Sequence, residues 1–160
     1  VVRTAQELGY TEPDPRDDLN GMDFSRKMLI LGREIGLPLE MSNVNIKAFL
    51  PEACLKAESI PAFYEELEKH EPYFSSFKNE AENSGRKLRL IGVLEDGKIN
   101  IEVQIVDANH PFFGLSGSDN IISFTTSRYK NTPLVVKGPG AGAEVTAAGV
   151  FADLVRVTAQ

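Results

Sequence analysis

KLRLIGVLEDGKINIEVQIV, running from Lys87 to Val106, is the stretch on which the fold turns. In its second half Ile99, Ile101, Val103 and Ile105 alternate with Asn100, Glu102 and Gln104, which makes one face apolar and the other polar. Between the halves, Asp96-Gly97 supplies the two positive-φ positions of a type I′ turn, so two antiparallel strands close without splaying. A hairpin with one apolar face needs a cover, and the flanking sequence offers helices. Upstream, Met22, Met28, Leu29, Leu31 and Ile35 recur at three- and four-residue spacing. Asn20 reads as the N-cap of that helix, Asp23 falls in its first turn, and Gly36 with Pro38 stops it. Ser59 caps a second helix with the stripe Ile60, Phe63, Tyr64 and Leu67. A third, from about Pro72 to Asn83, packs Phe74, Phe77 and Ala81 before Gly85.

Further out the signals shorten. Val44 to Leu50 alternates and predicts a strand ending before Pro51, while Pro13 and Pro15 exclude a helix from Leu8 to Asn20. Downstream, a loop with His110-Pro111, Gly114 and Gly117 leads to a strand at Ile121 to Thr126. A short apolar strand, Leu134 to Val136, then meets Gly138-Pro139-Gly140-Ala141-Gly142 and an alanine-rich helix from Glu144 to about Val157. The predicted class is α+β: a mixed β-sheet with helices packed mainly on one face, ending in a C-terminal helix. No linker, repeat or low-complexity tract divides the 160 residues, which predicts a single domain over 1–160.

Composition narrows function. A chain of this length buries roughly 70% of its unfolded surface and closes a core without disulfides. Cys54 is the one cysteine, which argues for a reducing compartment and, with no signal peptide or membrane-spanning run, for a cytoplasmic protein. With 17 basic against 23 acidic residues and a net charge of -6, the chain lacks the clustered Lys and Arg that bind nucleic acid. Val1-Val2-Arg3 carries no initiator Met, and the expectation is a piece of a longer polypeptide.

The chemistry-bearing residues concentrate between Gly9 and Lys27. A proline-stiffened loop holds several carboxylates, and a helix begins directly after it with its free amides turned toward the loop. Asp23 and Lys27 stand four apart on one helix face, near enough for the carboxylate to orient the ammonium. Spacing alone fits an ordinary surface ion pair better, worth roughly 0.3 to 0.5 kcal/mol. The glycine run near residue 140 looks like a dinucleotide-binding turn, but the full fingerprint is missing, and a tight strand-to-helix connection fits it better. His70 and His110 lie far apart and outside metal-ligand spacing, and His110 before Pro111 reads as a turn residue.

The stretch Ala5-Gln6-Glu7-Leu8-Gly9-Tyr10-Thr11-Glu12-Pro13-Asp14-Pro15, continued by Asp18-Leu19-Asn20-Gly21-Met22-Asp23 to Lys27, resembles the signature of homoserine dehydrogenase. Gly138 to Val150 resembles the same family's C-terminal motif, and Val150-Phe151-Ala152-Asp153-Leu154 is worded like the form fused to an aspartate kinase. The resemblance implies interconversion of L-homoserine and L-aspartate 4-semialdehyde with NAD or NADP, in threonine and methionine biosynthesis. It implies Lys27 as general acid, Asp23 as its orienting and substrate-binding partner, and Glu12, Tyr10 and Asp18 as substrate-binding residues. Gly140 and Gly142 would meet the cofactor. It also implies a homodimer, with residues 138–160 as a tail that returns to a Rossmann domain lying outside this sequence. The isolated chain is then expected to be inactive, with Val150, Leu154 and Val157 exposed or newly covered. A non-catalytic amino-acid-binding or dimerisation module is the alternative.

Overall fold

The computed structural model describes residues 1–9, 11–117, 119–140 and 142–159. The chain groups into two compact units, Val1–Ile105 and Val106–Gln160.

The first unit opens with α1 (Val2–Glu7), the single turn α2 (Arg16–Leu19) and α3 (Met22–Glu34). Strand β1 (Val44–Ile46) precedes the short α4 (Glu52–Leu55), then α5 (Ile60–Lys69) and α6 (Glu71–Asn83). The hairpin strands are β2 (Lys87–Glu95) and β3 (Lys98–Val106). Asp96 at φ 49 and Gly97 at φ 71 give the type I′ turn read from the sequence. The sheet order is β1-β3-β2, with β1 parallel to β3 in the register Val44↔Ile99 to Ile46↔Ile101. An antiparallel hairpin extended by a parallel strand is a mixed sheet, and the class is α+β as expected.

Helix α3 covers the apolar face. Leu29 is buried with Leu39, Ile99 and Ile101, and Phe24, Met28, Val44, Ile46 and Leu94 pack around them. Close packing explains two glycines here: a Cβ on Gly32 would sit 2.4 Å from Leu39 Cδ1, and one on Gly92 3.0 Å from Met28 Sδ. The opposite face of β3 is polar, where Asn45 donates to Asn100 and Lys47 pairs with Glu102. A second cluster forms around Leu50, Cys54 and Phe63, with Leu19, Ala57, Leu67 and Phe74 against it. Ser59 caps α5 by accepting from the Ala62 amide at 3.3 Å, as the sequence indicated.

Four local expectations are corrected. The N-cap of α3 is Gly21 rather than Asn20: a φ of +80° turns the chain there, and Asn20 instead accepts the Met22 amide through Oδ1 at 2.8 Å. Helix α2 forms inside the segment from which prolines were to exclude one. Proline penalises helix at and before its own position, whereas Pro15, at φ -61 and ψ -13, starts the turn that follows. The strand at Val44 stops at Ile46, because Leu50 turns away into the second cluster. The strand expected at Ile121 begins earlier and ends at Phe124.

In the second unit, β4 (Asp119–Phe124) and β5 (Leu134–Pro139) pair antiparallel from Asp119↔Pro139 to Phe124↔Leu134. His110 takes the turn role expected, its Nδ1 accepting the Phe112 amide at 3.1 Å. The closing helix α7 (Ala143–Thr158) buries none of its residues. Val150 is 59% exposed, Leu154 59% and Val157 74%, in line with the sequence expectation. No helix among the described residues is long and apolar enough to cross a membrane.

Candidate functional site

The segment from Glu12 to Lys27 is built by backbone geometry before any side chain acts. Asp14 and Pro15 lead into α2, and Asn20-Gly21 reverses the chain into α3. Gly21 is confined: a Cβ there would lie 3.1 Å from Ile46 Cγ2, so the start of α3 is seated directly on β1. Ser25, fully buried, donates its hydroxyl to the Gly21 carbonyl at 2.7 Å and fixes the same turn.

Asp23 and Lys27 then meet as the spacing requires, with Nζ 2.7 Å from Oδ2. Both side chains are more than half exposed, which leaves the ammonium reachable from solvent. Glu12 and Asp18 also come together: the Glu12 amide donates to Asp18 Oδ2 at 2.9 Å. Tyr10 lies outside the described residues. Two hollows open on this unit. One, about 240 Å³, is lined by Asp18, Leu19, Phe49, Leu90 and Val103, and a second of about 430 Å³ by Leu50, Tyr64, Leu67 and Phe74 among others. Asp18 thus borders a cavity, while Glu12, Asp23 and Lys27 line neither of these two.

Sequence reading missed Arg16. Its Nε and Nη2 fork onto the Asp14 carboxylate, with Nε at 2.9 and 3.0 Å from the two oxygens, and its Nη1 donates to the Ala57 carbonyl. The guanidinium hydrogen bonds hold the Asp14 carboxyl below its ordinary value, against a smaller opposing push from burial. Only the i, i+2 spacing of Asp14 and Arg16 was visible beforehand; the bond to Ala57, 41 residues away, was not.

Cys54 is fully buried, and desolvation, reinforced by the Glu66 carboxylate, pushes its thiol up from the usual value. His70 turns Nδ1 toward the Glu66 carbonyl at 2.8 Å, a structural role. Among the described residues no group of three or more His, Cys, Asp or Glu is arranged to hold a metal ion.

The glycine run of the second unit divides. Gly142 is the N-cap of α7 at φ 125 and ψ 147, a conformation close to glycine-only, with open space where a Cβ would be. A Cβ on Gly140 would instead fall 1.9 Å from Asn120 Nδ2, the side chain facing it from β4. Gly142 therefore leaves bare backbone at the start of a 16-residue helix.

Comparisons with known proteins bear on these elements together. The family model described as homoserine dehydrogenase matches residues 1–155. The bifunctional aspartokinase/homoserine dehydrogenase 1 of Zea mays is 48% identical over 160 residues, 99% of this chain and 17% of its own length. The homoserine dehydrogenase of Schizosaccharomyces pombe is 45% identical over all of this chain, which spans 43% of that protein. Fused and single-function relatives thus match about equally, and the chain covers less than half of either. Among solved structures, a Candida auris protein of unknown function superposes with a TM-score of 0.88 at 40% identity over 99% of this chain and 45% of its own. A homoserine dehydrogenase from Archaeoglobus fulgidus, described as putative, gives 0.68 at 27% identity, over 98% of this chain and 41% of its own. The carboxylate bend, the Asp23 and Lys27 pair and the glycine-led closing helix thus lie within one matched stretch, and the chain belongs to the homoserine dehydrogenase family.

Proposed function

We propose that this chain is the substrate-binding and catalytic part of an oxidoreductase that interconverts L-homoserine and L-aspartate 4-semialdehyde. The observation that carries the reading is the ion pair between Asp23 and Lys27, 2.7 Å long and open to solvent at the start of α3. Reduction of an aldehyde generates an alkoxide, which needs a proton, and an ammonium held in place by a carboxylate is a suitable donor. Lys27 Nζ gives that proton to the substrate oxygen and recovers it in the reverse direction. Asp23 keeps the ammonium aimed. Glu12, with Tyr10 and Asp18, receives the substrate's α-ammonium, for which an acidic bend is electrostatically suited.

NAD or NADP has its main site in the separate cofactor domain, and Gly142, with open space where a Cβ would stand, fits a backbone contact to that cofactor. When bound, the nicotinamide supplies or accepts the hydride. A hyperthermophilic archaeal homoserine dehydrogenase, which shares the fold at 22% identity, was solved in complex with NADPH. The proposal further takes residues 1–160 as one catalytic and dimerisation domain, 138–160 as its tail toward a separate cofactor domain, a homodimer as the working form and the cytoplasm as its compartment. The isolated chain is then inactive.

The test is Lys27→Ala in the full-length enzyme. Turnover should fall on the order of 100- to 10,000-fold while nucleotide binding persists, the range for loss of a general acid. Normal turnover removes Lys27 from the reaction. Saturable threonine binding by this chain, together with an indifferent Lys27→Ala, would favour the non-catalytic amino-acid-binding module instead.

A further inference from the structure

The bend that carries Glu12 and Asp18 has few fastenings of its own. Its internal bonds are short in sequence: Asp17 to Asp14, Leu19 to Pro15, Asn20 to Arg16 and Glu12 to Asp18. They shape the bend without locating it on the protein. Besides the packing of Leu19 on the Leu50, Cys54 and Phe63 cluster, two hydrogen-bonded routes among the described residues locate it, and both end in α5 or the connection leading into it.

On the first route, Arg16 grips the Asp14 carboxylate with one edge of its guanidinium and donates Nη1 to the Ala57 carbonyl. Ala57 sits between α4 and Ser59, the cap of α5, and packs on the Leu50, Cys54 and Phe63 cluster. On the second route, the buried Tyr64 of α5 donates its hydroxyl to Gln6 Oε1 at 2.7 Å, and Gln6 Nε2 donates to the Pro13 carbonyl at 3.0 Å. The Gln6 amide is therefore used at both ends, accepting from α5 and donating to the bend. Pro15, between the two attachment points, is itself fully buried.

We infer that Arg16 and Tyr64 are positioning residues for the substrate bend, setting where the Glu12 carboxylate stands without touching substrate themselves. The inference rests on the reading of Glu12 above. A planar guanidinium suits the first task because it bonds a carboxylate through two nitrogens and still has a third for a carbonyl; a lysine ammonium has no such fork. The second task needs only a phenol oxygen, since the ring is already packed.

The experiment uses the full-length enzyme with Arg16→Lys, Tyr64→Phe, the double variant and Glu12→Ala as reference. Arg16→Lys keeps the charge and Tyr64→Phe keeps the ring, so each removes a tether with little change in volume. KM for homoserine should rise on the order of 10- to 100-fold, as a displaced binding group implies, with kcat changed less and KM for the nicotinamide cofactor unchanged. The double variant should exceed either single one. A lowered thermal midpoint with unaltered homoserine KM in both single variants would mean a purely structural role and would overturn the inference. If Glu12→Ala itself leaves homoserine KM unchanged, the reading of the bend as a substrate site fails, and the inference with it. If Glu12→Ala raises KM while the tether variants do not, the inference alone fails.

Discussion

Gly21→Ala tests whether the start of α3 is fixed by backbone conformation and by contact with the sheet, as the geometry implies. At φ +80°, an alanine must adopt the left-handed region, which costs roughly 1 to 2 kcal/mol. Its Cβ would also stand 3.1 Å from Ile46 Cγ2 and 3.9 Å from Ile101 Cγ2, both on strands that cannot withdraw without disturbing the core. Overpacking of this kind adds about 1 kcal/mol at the low end of its usual range, for a total of about 2 to 3. Gly36 is the internal reference: its φ is +88° but nothing lies within 4 Å of its Cβ position, so Gly36→Ala carries only the conformational cost. Urea unfolding followed by far-ultraviolet circular dichroism measures both, since the midpoint shifts while the slope stays constant. Gly21→Asn should fall between them in cost, because asparagine tolerates the left-handed region yet brings the same Cβ. Equal losses for Gly21→Ala and Gly36→Ala would show that the contact with Ile46 is not felt, and the seating of α3 on β1 would have to be abandoned.

Three further outcomes follow from features of the two units. Asp14 has a carboxyl lowered by Arg16, so its contribution is complete above the ordinary value of 3.8 and is lost as pH falls through the lowered folded value. Between about pH 6 and about pH 3 wild type should therefore lose more stability than Asp14→Asn; equal losses would contradict the pairing. Cys54 has a raised thiol and no exposure, so dithionitrobenzoate should react slowly with the folded protein and quickly in urea, and rapid stoichiometric labelling of the native state would refute its burial. Gly142→Ala should cost about 1 to 3 kcal/mol because its φ of 125° is close to glycine-only. Gly140→Ala should cost less, since the exposed Asn120 side chain can swing aside, and the reverse order in unfolding midpoints would overturn this account.

What could be read from the sequence was local. Asp96-Gly97 dictates its turn because two adjacent positive φ values have few other solutions, and Ser59 announces a helix because a hydroxyl satisfies a free amide three residues on. Asp23 and Lys27 meet for the same reason, helical periodicity. Less was readable where distant residues decide. The strand from Val44 is cut short by the pull of Leu50 into a cluster whose other members, Cys54 and Phe63, lie on later helices. Asn20 lost the cap position to Gly21 because the turn needs a positive φ that asparagine adopts less readily. The family motif named Glu12, but nothing in the motif says that Arg16 bonds Ala57, 41 residues on, or that Tyr64 bonds Gln6, 58 residues away.

The parallel pairing of β1 with β3 has a consequence for how the molecule is made. Asn45 meets Asn100 at a sequence separation of 55, and Gly21 rests against Ile46 beside Ile101. As the polypeptide leaves the ribosome, the acidic bend and its lysine emerge well ahead of β3. Yet the surface that seats them is not finished until the far arm of the hairpin has emerged and β1 has docked along it, a late and entropically costly closure. The residues on which turnover would depend thus emerge before the hairpin that seats them and acquire their final shape only after it.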